Sequence, residues 1–174
     1  MIFWYIFAAV VILGGFMVFT GAPYVPSKPK EVKQALTKLY RLSDRDVLVD
    51  IGSGDGLVLR AASRRGARAV GYEIHPILVL VARWLSRGDK KVEVRWANFW
   101  RRPLPDDVTV VYTFGDNRDI GRMYDRVVSE ATRLGRPIWL ISYGFKVAKQ
   151  KLVRQEGAHM LYRCEPLRDE ATRV

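Results

Sequence analysis

The stretch "VLVDIGSGDGLV", residues 47–58, decides the fold. Its first half is aliphatic and β-branched, the composition of a buried strand. Its second half alternates Gly52, Gly54 and Gly56 with Ser53 and Asp55 before apolar residues resume at Leu57. A strand that passes through a glycine loop into a helix opens a βαβ unit, and in open α/β sheets that loop lies at the carboxyl ends of the strands, where ligands bind. The glycines permit positive φ and close backbone approach, and the helix turns its positive end toward the loop. The spacing is G-x-G-x-G, with Leu57 where a dinucleotide fingerprint carries its third glycine, and no G-x-x-x-x-G-K-[ST] occurs. Asp50 and Asp55 would repel a phosphate and attract a cation. The expected ligand therefore carries positive groups rather than a pyrophosphate.

Outward from this loop, strand-like and helix-like segments alternate. "LVLRAASRRG" reads as a helix, "ARAVGYE" (67–73) as a strand and "PILVLVARWLSRG" as a helix. The strand "KVEVRWA" (91–97), a loop "NFWRRPLPDD" and the strand "VTVVYTF" (108–114) follow. A helix over about Ile120–Leu134, the strand "PIWLISYGF" (137–145) and a last strand in "HMLYRCE" complete the domain. About six strands, with helices among the first five, predict a doubly wound α/β fold with a mostly parallel sheet.

The start of the chain is of another kind. "MIFWYIFAAVVILGGFMVFTGAPYVPS" contains no Asp, Glu, Lys or Arg before Lys28 and is apolar on every helical face. About twenty apolar residues span the hydrocarbon core of a bilayer, so residues 1–22 are expected to form a transmembrane anchor rather than a cleaved signal peptide, which would open with a basic region. Lys28, Lys30, Lys33, Lys38 and Arg41 follow the span, which places the remainder on the cytoplasmic side of the membrane and lets these cations rest on anionic headgroups. Residues 23–45 form a proline-stiffened linker and a helix beginning near Pro29, with Ser27 as its expected cap, and residues 46–174 form the ligand-binding domain. The chain of 174 residues has room for one such core, and its net charge of +11 favours anionic partners. Cys164 is the sole cysteine and there are two histidines, so no metal site is expected.

Asp50, Gly52, Gly54 and Gly56 resemble motif I, D-x-G-x-G-x-G, of the class I S-adenosylmethionine (SAM) methyltransferases, a Rossmann-like fold. The resemblance implies SAM as cofactor, a ligand with an ammonium and a sulfonium but no phosphate. It places Ser53 and Asp55 in the SAM loop, Glu73 on the ribose hydroxyls and Asn98 on the adenine amine. "PYVPS", "VDIGSGDG", "GYEIHP", "NFW" and "YTFG", in this order, are similar to the membrane-anchored protein-lysine methyltransferases of mitochondria and their prokaryotic relatives. That resemblance implicates Tyr24, Val25 and Pro26 in the SAM site, with Ser27 departing from Thr and His75 from Asn. It also implies a protein substrate embedded in the membrane. Phe114, Gly115 and Asp116, after the fourth strand, are the expected wall on the acceptor side, with Asp116 orienting the amine or, alternatively, capping the next helix. Trp100 is a further pocket candidate, though a core position suits it better. A nucleic-acid acceptor is disfavoured because no N-P-P-Y-like motif follows the fourth strand. A lipid or quinone acceptor, and a non-catalytic SAM-binding module at the membrane, are the alternatives.

Overall fold

The computed structural model describes residues 1–5, 7 and 27–167. Most of the expected anchor, with Tyr24, Val25 and Pro26, lies outside the described residues. Among those described, no helix is long and apolar enough to cross a membrane.

Helix α1 (Pro29–Gln34) runs on through a π-helical turn at Ala35–Leu39. Then come β1 (Val47–Ile51), α2 (Leu57–Ser63), β2 (Arg68–Glu73), α3 (Pro76–Leu85) and β3 (Val92–Trp96). A 3-10 turn at Phe99–Arg101 leads to β4 (Val110–Thr113), α4 (Ile120–Leu134), β5 (Ile138–Tyr143), β6 (Arg154–Glu156) and β7 (His159–Cys164). The described strands form one seven-stranded sheet in the order β3-β2-β1-β4-β5-β7-β6. β1 to β5 pair in parallel, while β7 runs antiparallel to both β5 and β6.

The predicted doubly wound α/β fold is present, with two differences of detail. The sheet has seven strands rather than six, because Arg154–Glu156 is too short and polar to show an alternating pattern yet pairs with β7. Ser27 does not cap α1. Lys28 occupies that position without a side-chain cap bond, and Ser27 instead lies beside the Tyr112 hydroxyl.

Side chains of each strand alternate between two cores. On one face Leu48, Ala69, Val94, Val110 and Ile141 pack against α1, α2 and α3 through Val32, Leu36, Leu59, Val79 and Ala82. On the other, Val49, Val70, Val111 and Leu140 pack against α4 through Ile120, Val127 and Ala131. Glu130 fastens the long β3–β4 connection to α4. It is buried, pairs with Arg126 and Arg133, and accepts the Leu104 amide at 3.1 Å. The strand order reverses direction between β1 and β4, so the loop 52–56 sits at the topological switch point of the sheet.

Candidate active site

The loop after β1 is folded onto its neighbour β2. Gly52, Gly54 and Gly56 all take positive φ, at 72°, 53° and 79°, a conformation that disfavours any residue with a Cβ. The Gly52 and Ser53 amides donate to the Tyr72 carbonyl, the Gly54 amide donates to Glu73 Oε2 at 2.9 Å, and the Gly56 amide donates to the Ser53 carbonyl. These four amides are therefore satisfied within the chain. A further glycine, on β2, makes this arrangement feasible. A Cβ on Gly71 would stand 2.5 Å from Ser53 Oγ and 2.6 Å from Leu59 Cδ1, so only glycine lets the loop lie this close to the sheet.

Asp50 lies at the carboxyl end of β1, on the sheet face covered by α1 to α3, and is 3 % exposed. Its carboxylate receives no hydrogen bond among the described residues, and burial, reinforced by Glu73 and Asp55, raises its pKa well above the usual carboxylate range. An acid in such a position is costly to keep unless a cation or donor arrives. Glu73, also buried, accepts the amides of Gly54 and His75, one on each oxygen, which fixes its orientation and leaves lone pairs for two further donors. Space above Gly52 is open, since a Cβ built there meets nothing within 4 Å. A buried acid without a donor among the described residues, a second acid held rigid one strand away and an open glycine loop fit the ammonium and ribose hydroxyls of SAM.

The other side of the edge is aromatic. Phe114, after β4, packs on Tyr143 at 4.8 Å between ring centroids and stacks on Phe145 at 6.2 Å. Tyr143 in turn stacks on His159 at 4.4 Å, brought opposite it by the antiparallel register of β7. His159 Nε2 hydrogen-bonds the Tyr112 hydroxyl at 2.8 Å, and the Tyr143 hydroxyl donates to Glu31 Oε2 of α1 at 2.7 Å. Burial lowers the His159 pKa to about 4, so the imidazole is neutral at physiological pH. The bond to Glu31 raises the Tyr143 pKa to about 12 and lowers that of Glu31. Burial raises the Tyr112 pKa, with Asp50, its neighbour in the β1–β4 register, as the next cause.

The residues singled out from sequence fall into distinct places. Asp50, Glu73 and the three loop glycines converge as described. Ser53 turns its Oγ inward against Gly71, where it has no partner among the described residues. Asp55 accepts the Leu57 amide at 3.0 Å and pairs with Arg60 at 3.2 Å, so both its oxygens have partners within the chain, while Gly56 occupies the cap position of α2. Asn98 uses its side-chain oxygen to accept the Trp100 amide at 2.9 Å. Gly115 lies against Met123 Sδ. Asp116 accepts the Arg118 and Asp119 amides on one oxygen and the Arg118 guanidinium on the other, which fills its acceptor sites and makes it a turn-forming acid ahead of α4. His75 occupies the cap position of α3 without a side-chain cap bond, and Trp100 lies under the Arg122 guanidinium at 4.9 Å. Glu31, Tyr143 and His159 belong to no motif, and Tyr112 enters only as the first residue of "YTFG". An aromatic before glycine at the carboxyl end of β5 is the one available signal for Tyr143, and His159 depends on a register that local pattern does not encode.

Comparison with known proteins agrees with this geometry. Residues 50–154 match the ANTKMT methyltransferase domain. The ATP synthase c-subunit lysine N-methyltransferase of Xenopus laevis is 49% identical over 65 residues, covering 37% of this chain and 26% of that protein. The adenine nucleotide translocase lysine N-methyltransferase of Mus musculus is 35% identical over 88 residues, 48% of this chain and 38% of that protein. The chain thus spans about a quarter to two-fifths of the length of these relatives. Among solved structures, an RNA methyltransferase from Salinibacter ruber in complex with S-adenosyl-L-homocysteine superposes with a TM-score of 0.74 at 26% identity, over 84% of this chain and 97% of that one. A SAM-dependent methyltransferase from Geobacter sulfurreducens, also in complex with S-adenosyl-L-homocysteine, has the same fold at a TM-score of 0.56 and 16% identity, over 74% of this chain and 54% of that one. With an acid-lined glycine loop suited to a cationic ligand and a family match over residues 50–154, the chain belongs to the ANTKMT methyltransferase domain family.

Proposed function

We propose that this methyltransferase acts on the side-chain amine of a lysine in a membrane protein, with residues 1–22 as its anchor and the catalytic domain on the cytoplasmic side. The observation that carries the reading is the aromatic enclosure of Phe114, Tyr143 and Phe145 at the edge of the sheet that also holds Asp50. Ring faces attract a cation and exclude water, which suits a lysine side chain entering as an ammonium. The relatives support it, being lysine methyltransferases named for the c-subunit of ATP synthase and for adenine nucleotide translocase. Ser27, at the end of the "PYVPS" segment, lies beside Tyr112, and this supports a place for Tyr24, Val25 and Pro26 over the SAM site.

SAM supplies an activated methyl carbon on a sulfonium. What the chain supplies is placement. Asp50 and Glu73 position the two ends of the cofactor, while Phe114 and Tyr143 confine the amine. Tyr143 keeps its proton because Glu31 holds it, so it remains a donor or a ring face and not a base. An entering lysine ammonium would give its proton to water before its nitrogen could accept a methyl group, and Phe114 and Tyr143 would hold the neutral amine meanwhile. Methyl transfer of this kind depends mainly on proximity and desolvation.

RNA is the second reading, favoured by the likeness to the Salinibacter RNA methyltransferase and by the excess of Lys and Arg. The full chain incubated with native membranes, cell RNA and methyl-tritiated SAM separates the possibilities. Tritium recovered as methyl-lysine from a protein band supports the proposal. Label in the organic extract, label in RNA, or SAM binding without any transfer would each overturn it.

A further inference from the structure

We infer that the outer surface of the α1–α2–α3 layer is a docking face for an anionic phospholipid surface. Two features lie on this one side of the sheet. The first is a groove of about 690 Å³ between α1 and α2, rimmed by Lys30, Lys33, Arg64 and Arg65 over an apolar floor that includes Leu36 and Leu57. None of these four cations forms an ion pair among the described residues, whereas Arg60 beneath them is committed to Asp55. No acid among the described residues lines the groove.

The second feature is α3. Its sequence "PILVLVARWL" is apolar nearly all round, yet only Val79 and Ala82 are buried in the core. Leu80 is 65% exposed and Trp84 62%, with Val81 and Leu85 beside them on the helix. Arg87 lies over the Trp84 ring at 4.7 Å, and Arg83 reaches in to the Val94 carbonyl, so cations frame the apolar ridge. Toward the site, the exposed Trp96 donates its indole N–H to the Ile74 carbonyl at 3.0 Å, carrying the ridge to the carboxyl edge of β2 and β3.

A basic groove beside an exposed aliphatic and tryptophan ridge matches the headgroup layer of an anionic bilayer, where cations meet phosphates while indoles and aliphatics enter the acyl boundary. Leu80, Val81 and Leu85 favour this occupant over a nucleic acid, which would ask for stacking rings rather than aliphatic chains. Docked this way, the SAM-binding edge stands beside the bilayer surface, within reach of a lysine at the membrane boundary. The inference rests on the proposed membrane-embedded acceptor. Its test reads position rather than methyl transfer, so the two can fail separately.

Cys164 is buried, so Leu80→Cys introduces the one accessible thiol. The full chain carrying a polarity-sensitive fluorophore at this position is placed in nanodiscs of phosphatidylcholine alone or mixed with phosphatidylglycerol, with spin-labelled lipids as quenchers. The expected result is a blue shift and quenching in the mixed discs only, reversed by high salt. Each of Lys30→Gln, Lys33→Gln, Arg64→Gln and Arg65→Gln should lower the docked-to-free ratio by about fivefold. The same label at Asp125→Cys, on α4 across the sheet, stays aqueous. A label at position 80 that stays aqueous in the mixed discs would overturn the inference. So would equal immersion in neutral discs, shielding already present in detergent (cover by the chain's own N-terminal segment), or protection by single-stranded RNA in place of lipid.

Discussion

Asp50 is the residue at which stability and function oppose each other most directly. Asp50→Asn keeps the shape of the side chain and removes its charge. A carboxylate about 4 Å from a cationic group, at an effective dielectric constant of about 20, attracts it by ~4 kcal/mol before solvation losses. Hydrogen bonds to charged groups retain about 1.5–3 kcal/mol net. The substitution should therefore weaken SAM binding about 10- to 150-fold. In the ligand-free protein the effect reverses. The ionised carboxylate is buried without a donor among the described residues and beside Glu73 and Asp55, so its folded pKa lies above its unfolded value. Its ionisation thus costs stability above the unfolded pKa, and the cost disappears as pH falls and the group is protonated in both states. Asp50→Asn should raise the thermal midpoint of the ligand-free enzyme at neutral pH while shrinking the additional rise produced by SAM. Isothermal titration and thermal melts of the full chain in detergent, with and without ligand, read both arms. If Asp50 receives the ammonium, S-adenosylhomocysteine loses affinity as much as SAM does, because both carry that group. Binding within threefold of the parent, or a lower ligand-free midpoint, would refute the reasoning.

Gly71→Ala places a Cβ 2.5 Å from Ser53 Oγ and should cost about 1–3 kcal/mol, lower the midpoint by several degrees and weaken SAM binding through displacement of the loop. Thermal melts and titration check it, and an unchanged midpoint would mean the loop can move away freely. His159 is neutral in the fold because its pKa is lowered from 6.5 to about 4 by burial. The unfolded chain takes up a proton between those values and the folded chain does not, so stability is full above about pH 6.5 and falls by up to about 3 kcal/mol on descending to pH 4. Urea denaturation at several pH values should show this slope, and His159→Gln should flatten it.

The sheet was legible from sequence because its parallel strands are buried on both faces and appear as aliphatic runs such as "VLVDI" and "IWLISY". β6 was not, since a three-residue polar strand is defined by its partner rather than by its own pattern. Local sequence was a fair guide wherever function depends on consecutive residues. The strand, the three glycines and the next helix are adjacent in the chain, and their spacing alone identified a loop for a cationic ligand. Glu73 followed from the resemblance to the class I methyltransferases, which places an acid at the end of the second strand.

Tertiary structure decided which side chains are free to act. Asp50, Asp55 and Asp116 are alike in sequence, yet Asp55 is consumed by α2 and Arg60, Asp116 by its own turn and Arg118, and Asp50 alone stays buried without a donor among the described residues. That distinction depends on burial and hydrogen-bond occupancy, which arise only when distant segments pack. The aromatic edge likewise joins Glu31 of α1, Tyr143 of β5 and His159 of β7, residues separated by more than a hundred positions at their extremes and brought together by antiparallel pairing of a strand that follows the parallel core. The sequence determined by itself the donor half of the site, because that half is local. The aromatic edge is a property of the assembled sheet.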